Sequence, residues 1–254
     1  MNALAIGGLV FVLAFGGALL GMYLRTVLPD RHLSEDSKDI VRISTAMLAT
    51  LAALVVGLLI ASAKSSFDSK NSELTRSATH YILLDRTLAE YGPETREIRD
   101  LIRQVIVTRL HQIWPAASAG NLNPKVVYQG NGVEGIQRQL LDLAPQNDAQ
   151  RWLKSAALQL SNDIAEVRWS AVEQIGSSIP WPFLVVLIFW FIAIFASFGL
   201  FAPTNGSVII AMLVSALSVA AAIYLIVEMD QPYGGLIKLS SSPVLTALDQ
   251  IGRP

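Results

Sequence analysis

The sequence predicts an all-α membrane protein with four transmembrane helices, a helical soluble domain inserted between the second and third, and a second span that continues as a long stalk helix. Two observations support this fold class. Of the 254 residues, 52% are hydrophobic and only 15% are charged, which is unusual for a water-soluble chain. The charged residues are also absent from four apolar stretches of about 20 residues, the length that crosses a bilayer as a helix.

Hydropathy places the predicted spans at residues 3–24, 43–63, 182–201 and 208–227. The first lacks the basic region of a secretory signal and is long for a signal core, so we expect an uncleaved span. The predicted organisation is residues 1–63 for spans one and two, 64–181 for the soluble domain, 182–228 for spans three and four, and 229–254 for a C-terminal tail.

The distribution of basic residues indicates how the chain is oriented in the membrane. The predicted soluble domain holds 13 of the 19 Lys and Arg, but long loops count little in the positive-inside rule. The first short loop holds Arg25, Arg31, Lys38 and Arg42, so an orientation with this loop in the cytoplasm stays open. We expect a bacterial inner-membrane protein whose 64–181 domain is cytoplasmic.

The soluble domain has helical patterns. No stop signal lies between Asp39 and Tyr91, which predicts one helix of about 80 Å, and Gly92 and Pro93 then predict a break. Further helices are predicted at 136–143 and 148–178, after a Gly- and Asn-rich loop at 116–135. The tail "LIKLSSSPVLTALDQIG" is too short to span and is expected to lie along the protein, with a clasp on a neighbouring subunit as one arrangement.

The second span, "ATLAALVVGLLIASAKSSFDSK", has a small residue at every fourth position. Such a row winds around a helix, so it cannot face one axis along its length. Ala49 and Ala53 are therefore predicted to pack against an adjacent helix. The straight face that uses most of the row forms the set of pore-lining candidates, which are Thr50, Leu54, Gly57, Ala61, Lys64 and Ser65. Leu54 is the predicted constriction, and hydrophobic constrictions can gate by dewetting.

Small residues also mark the first span, where Gly17 and Gly21 have GxxxG spacing and are predicted helix-packing positions. Small residues allow helix backbones to approach in a membrane. We therefore expect spans one and two to pack most closely. The third span carries Phe and Trp on all sides, which predicts an outer position in contact with the lipid bilayer.

The sequence lacks the common catalytic and metal-binding motifs. With no cysteine and a net charge of −1, it gives no reason to expect disulfides, nucleic acid, a metal, a cofactor, catalytic residues or an enzyme. His32, His80 and His111 are expected at surfaces or interfaces, and Asp85, Arg86 and Glu90 in local ion pairs and contacts with solvent. Glu228 and Asp230, which close the fourth span, could attract ions, although a helix that simply ends in water explains them too.

Five stretches carry a family resemblance: "LRTVLPDRHL", "LATLAALVVGLLIASAKSSFD", "LLDRTLAEYGPE", "IWP" and "EMDQPYGGLIKLSSSP". They resemble the bacterial and plant bestrophin-like proteins, a domain family of unknown function that is distantly similar to bestrophin chloride channels. The resemblance implies a helical intracellular domain and a pentamer around an anion-conducting pore lined by the second span.

The sequence departs from true bestrophins at two places. Their neck is narrowed by aromatic residues of the second span, whereas here Phe67 follows Lys64. Their acidic calcium clasp is reduced to Glu228 and Asp230, with Asp249 far along, so calcium activation is not expected. Two functions follow as hypotheses: a homo-oligomeric channel for a small inorganic ion, or a non-conducting membrane scaffold or sensor whose helical domain binds a partner protein.

Overall fold

A computed structural model describes residues 2–29, 34–114, 132–173, 181–230 and 235–252. All regular elements in these ranges are helical. They are α1 (Ala3–Val27), α2 (Glu35–Tyr91), a 3₁₀ turn (Pro93–Thr95), α3 (Arg96–Ile113), α4 (Gly132–Asp142), α5 (Asp148–Glu173), α6 (Trp181–Phe201), α7 (Gly206–Asp230) and α8 (Ser242–Gln250). Contacts divide the chain into a first unit, Met1–Phe67 with Ser177–Ile237, and a second unit, Asp68–Gly176 with Lys238–Pro254.

The four predicted spans are confirmed as helices. α1, α2, α6 and α7 are each long and apolar enough to cross a membrane, and each contains its predicted span. α2 is one helix of 57 residues, about 85 Å long at 1.5 Å per residue. The all-helical class predicted from the sequence is therefore correct for the described part of the chain.

The break after α2 is also where the sequence predicts it. Gly92 has φ 144°, a backbone region that residues with side chains rarely adopt. Thr95 is fully buried, and its hydroxyl donates to the Leu88 carbonyl at 2.6 Å. This bond satisfies one of the carbonyls that the end of α2 leaves without an intrahelical partner.

The start of α4 differs from the prediction. α4 begins at Gly132, inside the predicted loop, because Val133 joins Ile136 in the core and Glu134 accepts from Arg168 of α5 at 2.9 Å. α5 is described as far as Glu173. The rest of the predicted loop, residues 116–131, and the predicted end of α5 lie outside the described residues.

The expectation that spans one and two pack most closely is wrong, because α1 packs mainly against α6 and α7. A Cβ on Gly21 would lie 2.9 Å from the Leu200 backbone nitrogen, and one on Gly199 would lie 3.0 Å from that of Met22. Gly17 faces Ile192 in the same way, because a Cβ on Gly17 would lie 3.1 Å from the Ile192 carbonyl oxygen. Glycines on both helices therefore bring the two backbones together, while part of the aromatic surface of the third span stays exposed.

The second unit has its own core, to which α2, α3, α4 and α5 all contribute. Next to this core, Asp85 of α2 is 2% exposed and accepts two hydrogen bonds from Arg99 of α3, at 2.8 and 3.1 Å. These bonds raise the pKa of the Arg99 guanidinium above its ordinary value. The expected local ion pairs of Asp85 are therefore wrong, since its partner lies on another helix.

The C-terminal tail is held on its own chain at both ends. The Trp114 indole donates to the Leu239 carbonyl at 3.0 Å, and the Gly252 amide donates to Asp85 at 3.1 Å. Ala247 and Ile251 are buried between these points. The tail thus lies along the protein as predicted, with part of its apolar surface covered within the chain and Leu236 left 83% exposed.

The close approach of α1 and α6 predicts that Gly21→Ala destabilises the first unit, because the added methyl group would overlap backbone atoms of α6. Gly16→Ala is the matched control, since a Cβ there meets nothing within 4 Å and Ala is a better helix former than Gly by about 1 kcal/mol. In detergent, the thermal midpoint should fall by several degrees for Gly21→Ala only. Equal midpoints would contradict the assigned helix contact.

The buried position of Asp85 predicts that Asp85→Asn destabilises the second unit by about 3 kcal/mol. Breaking a buried ion pair costs roughly 3–5 kcal/mol, and Arg99 keeps partial access to water. The tail should also become sensitive to limited proteolysis. Glu90→Gln, at an exposed position of the same helix, is the control, and a tail equally protected in both variants would exclude this anchoring role.

Candidate functional site

The six pore-lining candidates lie together on one exposed face of α2. Leu54 is 60% exposed, and a Cβ on Gly57 would meet nothing within 4 Å. We call this set the outward face of α2; its members are Thr50, Leu54, Gly57, Ala61, Lys64 and Ser65, all exposed in the single chain. Its apolar part is therefore not covered by α1, α6 or α7.

The opposite face of α2 packs within the chain. Thr45, Ala52, Leu59 and Ala63 are each at most 8% exposed, and we call them the inward face. With 3.6 residues per turn, the mean directions of the two faces differ by about 165°. The chain therefore buries the side of α2 that faces away from the pore-lining candidates.

α2 is the least covered of the four apolar helices. In its apolar window 17% of the residues are buried, against 39% in α1 and 28% in both α6 and α7. Large apolar side chains are among the exposed ones, with Met47 at 65% and Leu58 at 64%. A surface of this kind on a membrane helix must contact lipid, another protein or a second copy of the chain.

The two alanines of α2 that were predicted to pack against another helix have different surroundings in the structure. Ala49 is half-buried and packs against the core of the first unit, whereas Ala53 is exposed in the single chain. The predicted packing glycines of α1, Gly17 and Gly21, both contact α6 instead of α2. Their partner Gly199 was not predicted, because the aromatic residues around it dominate the pattern of the third span.

Glu228 is a structural carboxylate. It is 4% exposed and accepts hydrogen bonds from the backbone amides of Leu236 and, at 3.3 Å, Ile237. Gly235 has φ 86°, and a Cβ there would lie 2.5 Å from the Glu228 carboxyl carbon. Glu228 thus orders the chain that follows α7, which argues against a role in attracting ions. Asp230, the other candidate, is half-buried at the end of α7.

The histidines do not form a metal site in the described part of the chain, where no group of three His, Cys, Asp or Glu side chains lies close enough to hold an ion. His80 and His111 are half-buried. His32 lies outside the described residues. Among the features predicted from sequence and described by the structure, the outward face of α2 is exposed and available to a ligand, an ion or a partner.

A family comparison covers nearly the whole chain. The family model of the Bestrophin-like domain matches residues 12–244, a range that contains α2 to α7 and most of α1. No curated protein and no solved structure matches the chain. The family match and the four apolar helices make the chain an integral membrane protein. The protein belongs to the bestrophin-like family.

Proposed function

We propose that the protein is a homo-oligomeric ion channel, with the outward face of α2 lining a central pore and small inorganic anions as its cargo. The observation that supports this function is the outward face itself, which is left uncovered by the chain and lies opposite the face that the chain buries. Membership of the bestrophin-like family is consistent with a channel. The subunit count expected from the resemblance is five.

The composition of the outward face favours protein or water over lipid as its neighbour. Thr50, Gly57, Ala61 and Ser65 are small or carry a hydroxyl, and such residues let helices approach closely in membranes. α6 presents a contrasting surface, since Phe183 and Phe189 are 52% and 66% exposed and aromatic side chains of that size suit acyl chains. The two exposed surfaces therefore differ in the partner that they fit.

Two flanks border the outward face and fit one another. The large flank consists of Met47, Leu51 and Leu58, and the small flank consists of Ala46, Ala53 and Gly57, all exposed. On a helical wheel their mean directions are about 120° apart. In a closed ring of identical helices, the directions from one helix to its two neighbours differ by about 108° for five members and 120° for six. The angle between the flanks is close to both values. The large flank of one copy can therefore pack on the small flank of the next.

The same geometry points to the pore axis. The bisector of the two flanks lies within about 20° of Leu54 and Ala61, both on the outward face. Leu54 is the larger of the two, so it would form the constriction.

The proposed cargo rests on charge as well as on the family. The outward face has no acidic side chain in the apolar window of α2, and the first charge beyond this window is the exposed Lys64. Asp68 follows one turn later, so we expect a modest preference for anions. Fixed charges near a narrow pore bias which ions enter it.

A non-conducting scaffold or sensor is the second candidate. It is favoured by the apolar character of the outward face, because an assembly that closes on Leu54 and Ala61 without water would not conduct. In that case the helical second unit would carry the function by binding a partner protein.

Flux measurements separate the two candidates. Purified protein in liposomes should pass chloride down its gradient, with a smaller flux of potassium. Leu54→Ala should raise the chloride flux severalfold, since a smaller side chain widens the constriction and lowers the cost of wetting it. Leu217→Ala on α7 is the matched control, because Leu217 is 57% exposed and Leu54 is 60% exposed.

Three results would count against the channel. Absence of flux for both ions favours the scaffold. Equal flux in the wild type and Leu54→Ala places the constriction elsewhere. An equal increase in Leu217→Ala would indicate a general effect of membrane-exposed truncations and not a pore residue.

A further inference from the structure

Glu228 lies on the same side of α7 as a row of exposed apolar residues. At 3.6 residues per turn, Glu228 is five full turns from Ile210 and points within about 60° of every member of the row. The members, which we call the exposed stripe of α7, are Ile210, Val214, Leu217, Ala221 and Leu225, all exposed in the single chain. Glu228 is nevertheless only 4% exposed, so another part of the chain covers it.

The turn that follows α7 supplies this cover. A Cβ on Gly235 would lie 2.5 Å from the Glu228 carboxyl carbon, so the backbone passes directly against the acid. The amides of Leu236 and, at 3.3 Å, Ile237 donate to the carboxylate. Leu236 itself is 83% exposed, more than any other large apolar side chain that the structure describes. The turn therefore covers a carboxylate and exposes a leucine at the same place.

Contact with a bilayer gives this exchange a physical reason. A carboxylate that faces hydrocarbon is costly, because lipid chains offer it no hydrogen-bond donor. The two backbone amides supply donors from within the chain, and Leu236 extends the apolar surface of the exposed stripe past the acid. In water, a carboxylate at the end of a helix would need neither the amides nor the cover.

The side chains of the exposed stripe suit lipid better than a second copy of the chain. Four of the five members are bulky aliphatic residues, 46–64% exposed. Close contacts between membrane helices favour small residues instead, as Gly21 shows where α1 meets α6. Leu236 is bulky as well, so it continues a surface of the kind that acyl chains cover.

We propose that the turn Gly235–Ile237 is a lipid-contacting cap, in which Leu236 meets the acyl chains at the end of the fourth span and shields Glu228 from them. The cap fixes where the chain leaves the membrane after α7. The proposal does not depend on ion conduction, because none of these residues belongs to the outward face of α2.

Fluorescence quenching at position 236 tests the contact with lipid. The chain has no natural cysteine, so Leu236→Cys carries the only thiol that bimane can label. In nanodiscs of lipid brominated on its acyl chains, the label should lose about half of its emission or more, because the bromine atoms lie in the hydrocarbon core. Aqueous iodide should quench it little. Leu141→Cys is the control, at a 61% exposed leucine of the second unit, and it should show the reverse pattern.

Gly235→Ala in the labelled protein tests the link to Glu228. The added methyl group would overlap the carboxylate, so the turn should move and iodide should reach the label at position 236. Gly252→Ala is the matched control, since Gly252 also has a positive φ, 84°, but a Cβ there meets nothing within 4 Å.

Three results would overturn the proposal. Quenching by iodide and not by brominated lipid would place Leu236 in water. Quenching by neither would mean that protein covers it, for example a second copy of the chain. A folded Gly235→Ala protein with the unchanged quenching pattern would show that the contact with Glu228 does not position Leu236.

Discussion

The apolar window of α2 has two faces, and the chain packs its own helices against one of them. The inward face, with Ala52 and Ala63 at its centre, is almost fully buried. The outward face is left with small side chains, a central leucine and two flanks of unequal size. A bilayer can cover such a helix, but it gives no reason for the pairing of a large flank with a small one. The proposed function therefore depends on one constraint, which is that the chain leaves the outward face of α2 uncovered.

The close packing of α1 on α6 explains why α2 is left exposed. Gly21 and Gly199 let those two backbones meet, and α7 completes the group through Gly7, where a Cβ would lie 3.1 Å from Tyr224. These three helices bury much of one another's surface, so α2 contributes only its inward face to their core. Membrane helices associate through such close backbone contacts more than through apolar burial.

Two buried carboxylates order the chain after α7. Glu228 binds the amides that follow Gly235, and Asp85 binds the amide of Gly252. Both glycines have positive φ, 86° and 84°, which turns the backbone so that amides point at the acid. The two acids thus define the start and the end of the C-terminal segment, within the first and the second unit respectively.

Hydropathy and local stop signals were enough to predict the four apolar helices and the break at Gly92, because these depend on neighbours in sequence. Contacts between distant residues could not be predicted. Asp85 meets Gly252 across 167 positions, and nothing local to either residue marks that pair. The partner of Gly21 was missed for a similar reason, since Gly199 is a single small residue among aromatic ones.

The reactivity of cysteines placed on α2 tests the central claim most directly. The chain has no natural cysteine, so a single introduced thiol is the only one that a membrane-impermeant, charged methanethiosulfonate reagent can modify, and it reacts as the thiolate in contact with water. If the outward face lines an aqueous pore, Leu54→Cys in native membranes is modified rapidly, whereas Leu217→Cys, similarly exposed in the single chain but placed on α7 and outside the proposed pore, is not. A Leu54→Cys protein as unreactive as Leu217→Cys would contradict the account, because the outward face would then be covered by lipid or by protein.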